Sequence, residues 1–379
     1  DDITTGSLVK KGPSSDNESV NKKYEITDYN HSGFFFNFHS WEVIPETVEP
    51  TFSLYSDNVL GTASFILRTS YNRNEKKLFS ELRGGYRGWY PILSGGLGWG
   101  ERVSPDIVEV PVGRADTAKS HLTHFWQEQS FDLRVTLPII NRRFGVRMEA
   151  LNITTTLQRT TTSNHEIAFT WQERDDLPDT TLPNTAADGI IFPITVETNY
   201  AFYTEDAPRD VMPRKGAEVD IAITNTPFKS HFKGSRAFLG TTWFLPGIFA
   251  HDAIRVSGAL EKKKDDGYPF QSLVEMPLTY EYVFHESVTS IRGYYKVPLF
   301  YPDGGLDMLP LMRWLKFGYV KRVSLNMFGE WMRGLNGDTV RDYLTIGAGF
   351  TFESTAFHLP FTLPLTILYV YSPTEGVGS

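Results

Sequence analysis

The sequence predicts an all-β fold, a transmembrane outer-membrane β-barrel of about 16 antiparallel strands. Three observations carry this expectation. From about residue 34 onward, apolar and polar residues alternate with the period of side chains that point to opposite faces of a strand. Aromatics make up 14% of a chain that is also 22% charged, more aromatic surface than such a chain needs unless something apolar surrounds it. No apolar, uncharged run reaches the roughly 18 residues of a spanning helix, so any crossing must be made by strands.

The elements follow in order. Residues 1–33, polar and rich in Ser, Asp, Asn and Lys, read as an arm or linker, and 34–379 as the barrel. The chain begins at Asp1 without a charged n-region or an apolar h-region, as a mature or truncated chain would. Ala63, Phe65, Leu67 and Tyr71 alternate with Ser64, Arg68 and Ser70. Leu82 and Tyr86 oppose Glu81, Arg83 and Arg87. Phe131, Leu133, Val135 and Leu137 alternate with Asp132, Arg134 and Thr136, and Val219, Ile221 and Ile223 with Glu218, Asp220 and Thr224. Near the end Leu344, Ile346, Ala348, Phe350 and Phe352 alternate with Thr345, Gly347, Gly349, Thr351 and Glu353.

Alternation fits a soluble sandwich, with its apolar face in the core, or a membrane barrel, with its apolar face in lipid. The barrel is favoured by strands of about 9–14 residues, longer than the roughly 5–6 of soluble sheets. Aromatics also gather at expected strand ends (Phe34-Phe35-Phe36, Trp89-Tyr90, Phe125-Trp126), as an interfacial girdle would. Short connections (72–77) alternating with long ones (173–189) match the turns and loops of the two barrel ends. In such a barrel the polar parity faces a wet lumen, and substitution of Thr345 or Thr351 should cost little.

The stretch "FNFHSWEVIPETVEPTFSLYSDNVLGTASF" resembles the start of the BamA/TamA surface-antigen barrel superfamily, in the branch whose barrel follows a periplasmic propeller. "APRDVMPRKGAEVDIAITNTPF" (207–228), "VPLFYPD" (297–303), "LKFGYVKRVSLNMFGEW" (315–331) and the closing "LTIGAGFTFESTAFHLPFTLPLTILYVYSP" continue the resemblance over roughly 37–373. It implies a 16-stranded barrel of a Gram-negative bacterial outer membrane, engaged in protein assembly or protein translocation. It also implies a lid loop with an Arg-Gly-aromatic tip, whose arginine pairs with carboxylates on the inner wall. "SIRGYY" is one candidate for that tip. Counting back from "VPLFYPD" gives another, Pro277-Leu278-Thr279-Tyr280, which keeps the proline and tyrosine but lacks the charge and the glycine. In this favoured register the lid motif is degenerate. Arg292 then belongs to a strand on whose lumen wall Ser290, Arg292, Tyr294 and Lys296 lie, with Ile291, Tyr295 and Val297 opposite. A weakly paired seam is expected between a first strand with Thr51 and Tyr55 and a last strand with Leu363, Leu365 and Tyr369, open to an incoming strand. Pro360 and Pro364 would either block pairing there or mark a turn.

Other chemistry is absent or weak. With no Cys there is neither disulfide nor thiolate chemistry, and a net charge of −8 disfavours nucleic acid. His121 and His124 lie three apart on an expected strand and point to opposite faces, so no metal site is expected. The glycines of "GGLGWG" (95–100) precede no helix that could bind phosphate and are expected to admit a bend or a bulky neighbour. "EKKKDD" (261–266) reads as a solvated hairpin loop, Asp175-Asp176 as solvated surface, and "NIT" (152–154) as a chance glycosylation match. No catalytic or cofactor-binding constellation is legible. The expected partners are outer-membrane lipid and other outer-membrane or periplasmic proteins. A scaffold subunit of an outer-membrane complex, or a passive pore, are the alternatives to an assembly or translocation role.

Overall fold

The computed structural model describes residues 37–111, 117–171, 180–204, 207, 209–302, 304–305, 318–356 and 363–373. The expected arm, Phe34 to Phe36, Asp175-Asp176 and Pro360 lie outside these residues. The alternating segments form strands β1 (Phe38–Ile44), β2 (Thr51–Asp57), β3 (Ala63–Asn72), β4 (Lys77–Tyr86), β5 (Ile92–Pro111) and β6 (Thr117–Phe144). There follow β7 (Arg147–Trp171), the short β8 (Thr180–Pro183) and β9 (Gly189–Ile191), then β10 (Ile194–Thr204), β11 (Gly216–Asn225) and β12 (Lys233–Pro246). The last are β13 (Ala253–Asp266), β14 (Ser287–Phe300), the two-residue β15 (Gly304–Gly305), β16 (Gly318–Asn336), β17 (Thr339–Ala356) and β18 (Leu363–Tyr371). A single 3₁₀ turn, Thr185–Ala187, is the helical element among the described residues.

The strands form one antiparallel meander. Each long strand pairs with the next, β7 pairing with β10 as well as with the short β8 and β9, and β14 pairing directly with β16. Fifteen strands carry the meander once the short β8, β9 and β15 are set aside, close to the expected sixteen. This is the antiparallel meander of a β-barrel. Among the described residues no ladder joins β1 to β18, so the sheet is not closed.

Burial shows which solvent each face meets. On β17, Leu344, Ile346 and Phe350 are 42%, 47% and 46% exposed, while Thr345, Thr351 and Glu353 are 0%, 5% and 9% exposed. A water-soluble protein would reverse that order, because apolar area gains by leaving water and polar groups lose by it. The same inversion runs through Ile221 and Ile223 of β11, Leu239 and Trp243 of β12, and Leu363, Leu365, Ile367 and Tyr369 of β18, all outward and exposed. The outward face is therefore the lipid face.

Several expectations need correction. Phe125 and Trp126 lie inside β6, not at a strand end, because β6 runs for 28 residues. β5 continues past Gly100, its last residue paired with β4, and from there pairs with β6 alone. β5, β6 and β7 thus outreach the roughly 9–11 residues that cross a bilayer. The connections 72–77 and 173–189 do not lie at opposite ends. One follows β3 and the other β7, an even number of reversals apart, so they share an end. Residues 261–266 are not a hairpin loop but the end of β13, where Glu261 and Lys263 point inward and are buried. Charges on both parities hid that strand.

The glycines of β5 take the bulky-neighbour role. The ring of Phe79 lies against Gly98 and Gly100, where a Cβ at Gly100 would come within 2.7 Å of it, and a Cβ at Gly96 would meet the Asp132 carboxylate at the same distance. Inward volume on this wall is thus given to Phe79 and Asp132.

Candidate functional site

The connection between β13 and β14, residues 267–286, does not project from the sheet end. It folds over the inward face of β13, β14, β16 and β17. Its apolar anchor is Val274, which packs with Val288, Met332 and Tyr343 in a buried cluster flanked by Met276 and Tyr280. The cluster is small, so directed polar contacts hold most of the loop.

At its centre Pro277, Leu278, Thr279 and Tyr280 form a β-turn closed by the Tyr280 amide donating to the Pro277 carbonyl at 3.1 Å. Thr279, third in the turn, has φ +86°. That is the torsion a type II turn demands at this position and glycine supplies without strain. A β-branched residue adopts it against the clash of its own Cβ, at a cost on the order of 1–3 kcal/mol. The position where the resembled motif has glycine thus keeps a glycine-like backbone while carrying threonine. Pro277 is fully buried, whereas the Leu278 side chain is exposed.

The wall grips the turn through its backbone. The Leu278 amide donates to Glu330 Oε2 at 2.7 Å, and Thr345 Oγ1 donates to the Leu278 carbonyl at 2.8 Å. Glu330 also accepts from the Tyr294 hydroxyl. Tyr280 donates toward the carbonyls of Leu344 (3.2 Å) and Pro373 (3.1 Å), with its ring edge-to-face on Tyr343. Thr345 is therefore covered by the loop, and the expectation that it faces a wet lumen is corrected; Thr351, also buried, bonds Asn326 and Thr366.

Charge anchors the rest of the loop. Arg292 lies in the β14 ladder opposite Ser257 and Glu330, with the Glu275 carboxylate at 3.1 Å from its Nη1 and the Glu275 carbonyl accepting from Nη2. Its partner is thus the loop, not a wall carboxylate. Glu261 accepts from the Leu273 amide at 2.8 Å and from the Ser272 hydroxyl, while Arg236 donates to the Gln271 carbonyl at 2.8 Å. Relative to the arginine-tipped lid implied by the resemblance, the polarity is reversed: here the arginine belongs to the wall and the carboxylate to the loop. At the loop's far end His285 is buried and meets the Tyr343 hydroxyl at 3.0 Å.

A second connection, from the opposite end, docks on the same wall. Arg322 of β16 makes a buried bidentate pair with Glu353 of β17, at 2.6 Å and 2.8 Å from Nη2, and Lys296 adds a third charge at 3.2 Å. The remaining Arg322 nitrogen donates to the carbonyls of Arg209 (3.1 Å) and Asp210 (2.6 Å), and the Tyr301 hydroxyl donates to Arg209 at 2.7 Å. His251 holds the Asp210 side chain at 2.8 Å. Met212 of this connection and Leu278 of the other border one cavity of about 350 Å³. The two segments approach one another over the inward face.

The sheet edges complete the site. Thr51 and Tyr55 belong to β2, which pairs with β3 and also with β1, opposite Ile44 and Ser40. The seam expected there is corrected: among the described residues the edge on this side is β1, which pairs with β2 alone. Its "FHSWEVI" has no clean alternation and is easily passed over as linker. Leu363, Leu365 and Tyr369 do lie on the last strand of the described residues, β18, whose pairing is with β17 alone. Pro364 sits within β18 opposite Glu353.

Glu330, Glu275 and Arg322 were not singled out from the sequence, and Glu353 and Glu261 entered only as members of polar segments. The signal was available for two of them: Arg322, Ser324, Asn326 and Glu330 share one parity of "KRVSLNMFGE". Among the described residues no group of three or more His, Asp or Glu is placed to hold a metal ion. His124 approaches His165 at 3.2 Å on neighbouring strands, and no third such ligand joins them.

No protein-family model matches the chain, and no curated protein matches it. Among solved structures it is similar to CdiB from Escherichia coli, at 13% identity and a TM-score of 0.47 over 85% of this chain and 58% of that one. It is also similar to CdiB from Acinetobacter baumannii, at 8% identity and a TM-score of 0.43 over 85% of this chain and 56% of that one. The chain thus spans somewhat over half the length of each.

Proposed function

We propose that this chain is an outer-membrane β-barrel that acts in outer-membrane protein assembly or polypeptide translocation by strand pairing, without covalent chemistry. The observation that carries the reading is the pair of single-sided edges. β1 and β18 each pair with one neighbour among the described residues, beside a lipid face lined by Leu363, Leu365, Ile367 and Tyr369. An unpaired strand leaves N–H and C=O groups without partners, and in an apolar medium each such group costs several kcal/mol. The edges can satisfy one another, or a client strand can satisfy them by β-augmentation. The loop supports this over a passive pore, since residues 271–285 occupy the inward face rather than leave it open. A scaffold role is favoured by one specific observation: the turn at Leu278-Thr279 carries neither the charge nor the glycine of the resembled lid.

The test places a photo-crosslinking residue at Val43 in β1 or Leu365 in β18, with Leu133 in β6 as a lipid-facing control. The expected outcome is crosslinking to polypeptide clients from the two edges and not from Leu133, with loss of outer-membrane or secreted proteins on depletion. Edge crosslinks to one stoichiometric partner, with an unchanged outer-membrane proteome, would establish the scaffold. Conductance through the intact barrel, with no edge crosslinks, would establish the pore.

A further inference from the structure

The inward face holds a second built feature away from the loop's turn. β6, β7, β10, β11 and β12, with the connections before β10, after β11 and after β13, line an open cavity of about 610 Å³. That is within the range of small-molecule sites. Its lining includes Trp126, Glu128, Gln158, Tyr268, Phe270 and Gln271. We propose that this cavity binds a short neutral saccharide, free or as the head of a glycolipid.

Three features select that chemistry. The first is the kind of polar group offered. The backbone groups of the lining strands are engaged in the β6–β7 and β7–β10 ladders, so recognition falls to side chains. Those are amides and threonine hydroxyls, which both donate to and accept from hydroxyls, and one carboxylate, Glu128, which accepts. The second is the fate of the cation. Arg236 borders the cavity, but its two terminal nitrogens are given to the Gln271 carbonyl and Thr224 Oγ1, at 2.8 Å and 3.3 Å, and its guanidinium lies 5.7 Å from the Phe270 ring centre. It ties the wall, its Nε buried without a partner, and it is the Glu128 carboxylate on the same lining that disfavours an anionic ligand. The third is the aromatic frame. Trp126 stacks on His165 at 5.5 Å and 13°, and Tyr268 meets Phe270 edge-on at 5.1 Å, so the rings are fixed before any ligand arrives. A sugar ring has a C–H-rich face for such aromatic surfaces and a hydroxyl rim for Glu128 and Gln158. An apolar peptide side chain would take those groups out of water with only long contacts in return, Trp126 Nε1 to Glu128 at 3.4 Å and Gln158 to Thr160 at 3.5 Å.

The test uses purified barrel in a detergent whose head is not a sugar, because a maltoside would compete. Maltose, cellobiose, chitobiose and lactose are each titrated while tryptophan fluorescence and saturation-transfer NMR are followed. At least one is expected to saturate with a dissociation constant of about 1 mM or below. Gln158→Ala, at an exposed position whose side chain makes one long contact, to Thr160 at 3.5 Å, is expected to weaken it at least about tenfold, and Trp126→Ala to abolish the fluorescence response. Arg292→Ala, outside the cavity, should leave binding unchanged. A parallel titration with lipopolysaccharide distinguishes a glycolipid head from a free sugar: binding of the glycolipid alone, lost in Gln158→Ala, assigns the glycolipid. Failure of every saccharide and of the glycolipid to saturate, or binding that Gln158→Ala leaves intact, overturns the proposal. Neither result touches the strand-pairing reading, which rests on β1 and β18.

Discussion

The wall built by β3 to β6 and the wall built by β13 to β17 carry the same inward chemistry and treat it differently. Following paired residues across the sheet, Arg68, Glu81, Arg83 and Asp132 lie on the same face as Glu261, Arg292, Glu330 and Glu353. On the first wall the charges form an open ladder: Arg83 meets Glu81 at 2.5 Å and Asp132 at 3.7 Å while its side chain stays 47% exposed. On the second, Glu261, Lys263, Arg322, Glu330 and Glu353 are buried. Strand pattern does not make the difference. Two connections lie over the second wall, whereas on the first the β1–β2 connection reaches in beside Arg68 and Glu81, with Glu49 accepting from Ser70 at 2.6 Å, and leaves Arg83 exposed. An identical alternation therefore produces a wet wall or a covered one, depending on where loops fold.

The largest expected consequence is in charge deletion. Arg322→Ala would leave Glu353 buried and short of its bidentate partner, and would free the carbonyls of Arg209 and Asp210. A loss of roughly 3–5 kcal/mol is expected, as for other broken buried pairs. Arg83→Ala on the open wall should cost under about 1 kcal/mol, since water replaces the lost contacts. Urea unfolding in detergent, followed by the gel shift between folded and unfolded barrel, measures both. Similar costs for the two would show that the covered wall is hydrated after all.

Next in size is the parity effect, which must be read on the open wall. Leu133→Arg puts a charge on the lipid face and should destabilise by about 2–4 kcal/mol if the residue lies near the bilayer midplane. Arg134→Ala, one residue along and facing inward, should cost a fraction of that. The same comparison on β17 between Ile346 and Thr345 would blur, because Thr345 is buried under the loop and bonded to Leu278. Equal costs at Leu133 and Arg134 would undo the assignment of the outward face to lipid.

This contrast also explains what the sequence could show. The period-two pattern made β3, β4, β6, β11 and β17 legible, because a sheet between lipid and an interior needs one apolar parity. It failed at Glu261 to Asp266, where both parities are polar and the inward charges are covered by a loop no local pattern announces, and at β1, whose apolar residues fall on both parities. Arg292 could be placed in a strand and Pro277 to Tyr280 in the loop before it. Their partners could not be foreseen. Glu275 reaches Arg292 across 17 residues and Glu330 reaches Leu278 across 52, and such pairings depend on how the loop returns to the wall.

A smaller effect, of opposite sign, is expected in the turn. Thr279→Gly removes a β-branched side chain from φ +86°. The relief of strain, about 1–3 kcal/mol, is partly offset by the roughly 0.5–1 kcal/mol that glycine's extra freedom costs, and the lost Thr279 hydroxyl contact with Ser372 subtracts further. A net gain of about 1 kcal/mol in loop docking is expected, read as slower amide exchange at Leu278 and Tyr280. Faster exchange would mean that the hydroxyl contact outweighs the backbone strain.

The smallest effect should come from the residue most like a lid arginine. Arg292 is itself largely covered, its side chain 16% exposed, but Glu275 is 86% exposed. The pair is thus half in water, and its worth falls toward that of a surface ion pair. Leaving Glu275 unpaired costs little, because water solvates it at once. Arg292→Ala is expected to lower global stability by about 0–1 kcal/mol. Its effect should instead be local: the loop would keep the Glu261, Glu330 and Thr345 contacts but lose its tie at Glu275, and exchange at residues 274–276 should rise while that at Leu278 holds. Glu330→Gln provides the contrast, since it weakens a buried acceptor of the Leu278 amide and the Tyr294 hydroxyl and should release the turn itself. If Arg292→Ala freed the whole loop as Glu330→Gln does, the guanidinium would be the principal anchor. The wall would then hold this loop as strongly through its arginine as the resembled lids are held through theirs.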